Sequence, residues 1–199
     1  MIRTFLAVEL SEELRRQIAL VQQDLQPRFD GEPLKAVRIA WVQPSFIHLT
    51  MRFLGDTDEQ LLDPIREAIA TVRRSHPGMQ IPLERLQAFP NLRQPRVLWV
   101  GPSEAWLKSN AAKQLMTLHR DIESCCRSLG FVTEDKPFTP HLTMARIKVG
   151  DRAVGQRLAQ SGACDRALSV GVITVGPLVL MKSKLRPSGP VYTKLWEVE

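Results

Sequence analysis

His48-Leu49-Thr50-Met51 recurs letter for letter as His141-Leu142-Thr143-Met144, and proline stands four residues before each histidine, at Pro44 and Pro137. A repeated tetrapeptide can arise by chance in a chain of this length, so its composition and context carry the argument. In a strand, successive side chains alternate faces. His48, Thr50 and Arg52 are then expected on one face, with Ile47, Leu49, Met51 and Phe53 on the other. The second copy repeats the arrangement, with His141 and Thr143 opposite Leu142 and Met144. Two such strands facing each other would line a cleft with two imidazoles and two hydroxyls. Either copy alone reads as an ordinary half-exposed strand. The pair, which uses two of only four histidines in the chain, reads as a site. His76, beside Pro77-Gly78, and His119, inside a long helical pattern, read as structural.

Working outward, Thr4 to Val8 reads as a buried strand, and Ser11 caps a helix running to about Gln26, with Leu14, Ile18, Val21 and Leu25 at helical spacing. A loop is expected over Phe29 to Pro33. Extended segments follow at Ile39 to Val42 and Ile47 to Leu54, the latter closed by Gly55-Asp56. Asp58 to Arg74 reads as a helix, Ile81 to Leu86 and Val97 to Val100 as strands, and Pro90 to Pro95 as a turn or loop. The longest helical pattern, from about Ser109 to Leu129, stops at Gly130. Phe131 to Ile147 is extended, Ala153 to Ala159 a short helix, and Ser169 to Met181 and Val191 to Val198 strands. No low-complexity tract or linker separates independent domains, so residues 1–199 read as one two-lobed domain.

Bulk composition narrows the class. The 199 residues, 44% hydrophobic, suffice for one compact core. The first residues are apolar only as far as Glu9, too briefly for a secretory signal, and no apolar run spans a membrane. Cys125, Cys126 and Cys164 form neither a disulfide framework nor a CxxC motif, which suits a reducing cytoplasm. A formal charge of +6 favours polyanionic partners. No Gly-rich phosphate loop or GxSxG elbow is present, which argues against a nucleotide triphosphatase and an α/β-hydrolase. No obligate protein partner is evident.

Histidine titrates near neutrality, so two imidazoles can serve as a base and an acid at once. Hydrolysis of a cyclic phosphodiester needs a proton taken from water and another given to the departing ribose oxygen, on opposite sides of phosphorus. Thr50 and Thr143 suit hydrogen bonds to non-bridging phosphate oxygens. Arg146 suits a charge-assisted contact. Its offset of five from His141 puts it on the wrong strand face, so a bulge or strand end is required. Neither motif has a nearby carboxylate or second histidine at ligand spacing, which disfavours a metal.

These residues resemble the two-histidine phosphoesterases with paired HxTx motifs, here at 48–51 and 141–144, and among them the bacterial and archaeal RNA 2′,3′-cyclic phosphodiesterases once called 2′-5′ RNA ligases. The resemblance extends to RTFLAVEL from Arg3, IHLTMRFLGD from Ile47, AFP at 88–90, RVLWVG at 96–101, KPFTPHLTMAR from Lys136 and SGPVYT from Ser188. It implies a bilobal α+β fold: two pseudo-symmetric lobes of mainly antiparallel sheet, outer helices and a central cleft. It also implies His48 as proton donor, His141 as proton acceptor, Thr50, Thr143 and Arg146 as phosphate contacts, and no metal or cofactor. The implied activity converts an RNA 2′,3′-cyclic phosphate end to a 2′-phosphate. The alternatives are 2′-5′ RNA ligation at the same site and a non-catalytic RNA-binding module. Two departures stand out: methionine at 51 and 144 where leucine is commoner, and Arg38-Ile39-Ala40-Trp41-Val42 where relatives often read Arg-Trp-Val. Phe46, Phe138 and Tyr192 are candidates for base stacking or for packing. Lys182, Lys184 and Arg186 read as a basic loop that either tracks an RNA backbone or is merely solvated.

Overall fold

A computed structural model describes residues 1–30, 36–186 and 189–199. The chain folds as two four-stranded antiparallel sheets with helices packed on them, the α+β architecture expected. The part of the expected loop from Gly31 to Pro33 lies outside the described residues, as does Ser188.

A repeated order of elements builds the two lobes. The first half runs strand β1 (Ile2–Val8), helix α1 (Glu12–Leu25), strand β2 (Arg38–Trp41), strand β3 (Leu49–Thr57) and helix α2 (Leu62–Arg74). After β4 (Met79–Leu83) and β5 (Arg85–Phe89), the order returns as β6 (Val97–Gly101), a short α3 (Glu104–Leu107), α4 (Asn110–Ser128), β7 (Leu142–Val149) and α5 (Asp151–Ser161). Strands β8 (Gly171–Val175), β9 (Leu178–Arg186) and β10 (Gly189–Val198) end the chain. One sheet has the order β10-β9-β1-β3 and the other β2-β7-β6-β5, so each motif strand, β3 or β7, pairs with the strand that opens its half. Strands β4 and β8 form a separate two-stranded sheet.

Local chemistry explains the helix limits. The hydroxyls of Ser11 and Ser109 accept from the backbone N–H of Leu14 and Ala112, satisfying donors that the first turn leaves free. Gly130 ends α4 with φ +91°, a conformation costly for any residue bearing a Cβ. Leu14, Ile18 and Leu25 of α1, and Leu115, Leu118 and Ile122 of α4, bury one stripe each in a core shared with both large sheets.

Several expected boundaries shift. The segment read as one strand from Ile81 divides at Glu84: β4 pairs only with β8, whereas β5 pairs with β6. The segment from Ser169 divides at Gly176-Pro177, where proline has no N–H for a ladder. Gly55-Asp56 does not end β3, because Gly55 with φ +74° carries the strand on to Thr57. Phe131 to Pro140 is irregular rather than extended strand. Lys182, Lys184 and Arg186 belong to β9, not to a loop. Because Met181 pairs directly with Phe5, strand alternation puts these three basic residues on the sheet face opposite Phe5.

Candidate active site

Both motif histidines stand immediately before their strands. Short turns, Pro44–Phe46 in the first case and an irregular Pro-flanked segment in the second, lead into them. The His48 Nδ1 lies 2.8 Å from the Phe46 carbonyl oxygen and the His141 Nδ1 lies 2.7 Å from that of Thr139. A carbonyl can only accept, so each neutral ring carries its proton on Nδ1 and leaves Nε2 with a free lone pair. The same backbone device thus sets the same tautomer at both positions.

Aromatic rings wall each imidazole. Phe5 stacks on His48 with centroids 4.7 Å apart, and Tyr192 meets the same ring edge-on at 5.3 Å. His141 meets Phe89 edge-on at 5.0 Å and Trp99 at 5.8 Å. These walls strip water from the rings, and that desolvation is the main reason both pKa values fall below 6.5. His48 falls to about 4, opposed by its bond to Phe46 and pushed further by the charges of His141, Arg146 and Arg15. His141 falls under burial and the charge of Arg146, opposed by its bond to Thr139. The structure therefore brings His48, His141 and Arg146 within electrostatic reach of one another, although the histidines lie in opposite halves of the chain.

Neither motif strand is regular. In the β1–β3 ladder Leu6 pairs with Arg52 and Ala7 with Thr50, so Met51 has no partner. In the β6–β7 ladder Leu98 pairs with Ala145 and Trp99 with Thr143, so Met144 has none. Each methionine is a bulge that spends two successive residues on the buried face: Met51 and Arg52, both 1% exposed, in one strand, and Met144 and Ala145, both fully buried, in the other. Past the bulge the alternation is reversed. Arg146 consequently returns to the exposed face of His141 and Thr143, as its offset required. The same geometry corrects the first motif. Arg52 does not share the His48 face but points inward, pairing with Glu123 of α4 at 2.8 Å and donating to the Val132 carbonyl oxygen at 2.6 Å. Phe53, not Arg52, takes the exposed position equivalent to Arg146. The single guanidinium on this face of the motif strands thus comes from the second half.

Thr50 and Thr143 are half-buried on the histidine faces of their strands. Phe46 and Tyr192 lie beside His48, with ring centroids 5.7 Å apart. Phe138 instead stacks on His119 at 4.2 Å. His76 pairs with Asp121 at 2.9 Å, tying the end of α2 to α4. His119, Glu123 and Glu134 bring potential ligand atoms within 4.8 Å of one another, but Glu123 already takes the buried Arg52 guanidinium, so an internal cation serves this cluster. The three cysteines are free, and burial pushes the Cys126 thiol up to about 12 and that of Cys164 to about 11, far from thiolate chemistry.

Sequence reasoning passed over the aromatic walls Phe5, Phe89 and Trp99, and over Arg15, whose charge reaches His48. FLAV and VLWV are continuous apolar runs, and β1 from Thr4 and β6 from Leu98 are buried on both faces, so only the ladder registers show which side chains stand beside a histidine.

NMR titration of the imidazole Cε1–H signals should find His48 titrating near 4 and His141 below 6.5 in the free protein. Depressed histidine pKa values also set the sign of pH-dependent stability. Between pH 6.5 and 4 the unfolded chain binds more protons than the folded one, so stability falls as pH falls through that window and is level above it. His48 alone accounts for on the order of 3 kcal/mol of that loss. A His48 signal titrating at or above 6.5 would contradict this account of its burial.

The two lobes, the repeated strand–helix order and the paired histidines define a phosphoesterase of the two-histidine class. The chain belongs to the LigT-like phosphoesterase family, whose model matches residues 8–99 and 106–192. It is similar to proteins named RNA 2′,3′-cyclic phosphodiesterase from Methanothermobacter thermautotrophicus, 30% identical over 98% of this chain and 96% of that one, and from Aeropyrum pernix, 34% identical over 85% and 88%. Among solved structures, the protein TT0787 of Thermus thermophilus is 29% identical with a TM-score of 0.66, covering 99% of this chain and 97% of that one. Escherichia coli LigT complexed with 3′-AMP shares the fold with a TM-score of 0.69 at 22% identity, over 99% and 98% of the two chains. Among the described residues, no helix is long and apolar enough to cross a membrane.

Proposed function

We propose that this protein hydrolyses RNA 2′,3′-cyclic phosphate ends to 2′-phosphate ends by metal-independent acid–base catalysis. The observation that carries the reading is the matched pair of imidazoles, each held by Nδ1 on a backbone carbonyl two residues back and each leaving Nε2 for proton transfer. The curated relatives' shared name supplies the substrate class.

In this reading His141 Nε2 takes a proton from water as its oxygen attacks phosphorus. The bond from phosphorus to the ribose 3′ oxygen breaks, and His48 delivers a proton to that oxygen, leaving the phosphate on the 2′ oxygen. Thr50 and Thr143 donate to the non-bridging oxygens, and Arg146 offsets the charge that grows on them. The depressed pKa of His48 fits a strong acid that needs help to be loaded. The cyclic phosphate anion supplies that help, since a negative charge beside a buried imidazole favours its protonated form. A 5′-hydroxyl in place of water would form a 2′-5′ bond by the same steps. All 199 residues act as one two-lobed domain in this reading, supported by the core common to both large sheets. Three free thiols, of which Cys126 is buried and Cys125 and Cys164 are partly exposed, support a cytoplasmic setting.

Purified protein incubated in EDTA with an RNA oligonucleotide ending in a 2′,3′-cyclic phosphate should yield a 2′-phosphate end. A 3′-phosphate product would reverse the assigned leaving oxygen. Binding without turnover would favour an RNA-binding module, and activity lost to EDTA and restored by a divalent ion would reject the metal-independent mechanism.

A further inference from the structure

We propose that Gln22 is a positioning residue for the reaction, acting from the other half of the chain by clamping the bulge that turns Arg146 toward the histidines. The inference rests on the reading of Arg146 as a phosphate contact. Gln22 lies in α1, on the same buried stripe as Ile18 and Leu25, yet it is polar and only 4% exposed. A buried primary amide is costly unless its hydrogens are used. Here both are. Nε2 donates to the Val42 carbonyl oxygen at 2.8 Å and to the Met144 carbonyl oxygen at 2.9 Å. The Met144 oxygen also accepts from the Val42 N–H at 2.8 Å.

Met144 is the residue the β6–β7 ladder skips. The Gln22 amide and the Val42 N–H thus hold the carbonyl of the extra residue, and one planar amide ties the bulge both to α1 and to the segment leading into His48. The consequence follows from strand periodicity. If the extra residue were reabsorbed into a regular ladder, each later side chain would change face. Arg146 would turn toward the core and Ala145 toward the histidines. An apolar side chain at 22 fills the same space but donates nothing, leaving the Val42 oxygen without its amide partner and the bulge held by one bond instead of two.

The test is a double-mutant cycle on a cyclic-phosphate-ended oligonucleotide, using Gln22→Leu, Arg146→Ala and the combination, with folding checked by thermal melting. Gln22→Met, unbranched and without a donor, serves as the second variant should leucine not fold. The expected result is a loss of roughly tenfold or more in kcat/KM from Gln22→Leu, and no further loss from adding it to Arg146→Ala. Withdrawal of the Arg146 charge also moves the His48 and His141 NMR titrations upward in Gln22→Leu, as it does in Arg146→Ala. A generally loosened core would lower the melting temperature without reproducing that shared shift. Losses that add in the double variant, or Gln22→Leu and Gln22→Met with wild-type turnover, overturn the proposal. Wild-type turnover by Arg146→Ala instead overturns the underlying assignment of Arg146.

Discussion

Replacing His141 by alanine should lower turnover of a cyclic-phosphate RNA end by about 10²- to 10⁴-fold, and His48→Ala should do the same, with the double variant little worse than either single. The reason is that the two rings act in one step. Once the base is gone, an acid poised on the departing oxygen has no developing negative charge to neutralise, and the converse holds. Both side chains are half-buried at the starts of strands and bond only to the backbone two residues away, so their removal should leave the fold intact. Single-turnover rates with each purified variant and its melting curve would check this. Losses from the two singles that multiply in the double variant would mean independent roles, against paired proton transfer.

The second large effect falls on stability. Glu123→Ala should destabilise the protein by about 3–5 kcal/mol, because it strands the guanidinium of Arg52, 1% exposed, away from water. The Val132 carbonyl remains as a partner and the Glu134 charge as a neighbour, but neither replaces the 2.8 Å ion pair that Glu123 made. Removing both groups, as in Arg52→Leu with Glu123→Leu, should cost less than Glu123→Ala alone, since no buried charge is then left unpaired. Chemical denaturation of the three proteins decides the matter. A double variant less stable than Glu123→Ala would mean that the pair contributes more than its own desolvation costs. Because Arg52 follows directly on the Met51 bulge, the same pair anchors the first motif, as Gln22 anchors the second. The two anchors cross over: α4 of the second half holds β3, and α1 of the first half holds β7.

The sequence by itself determined the motifs, the class and most of the elements. Two identical tetrapeptides in similar settings were enough to place two strands with histidine and threonine on one face, because strand period 2 is a local property of the backbone. Serine caps and a terminal glycine bounded α1 and α4 for the same reason: capping is decided within one turn. The need for a bulge before Arg146 was legible too, from counting residues. What local rules could not reach was the matching bulge in the first motif, which turns Arg52 inward and Phe53 outward although LTM precedes both arginines in nearly the same context. That choice depends on Glu123, 71 residues further on, and on the Val132 carbonyl, so only packing between the halves decides it. The aromatic walls around the histidines, and with them the depressed pKa values, are likewise products of strand pairing. Phe5 and Trp99 become neighbours of His48 and His141 only when β1 pairs with β3 and β6 with β7, contacts between residues far apart in the chain.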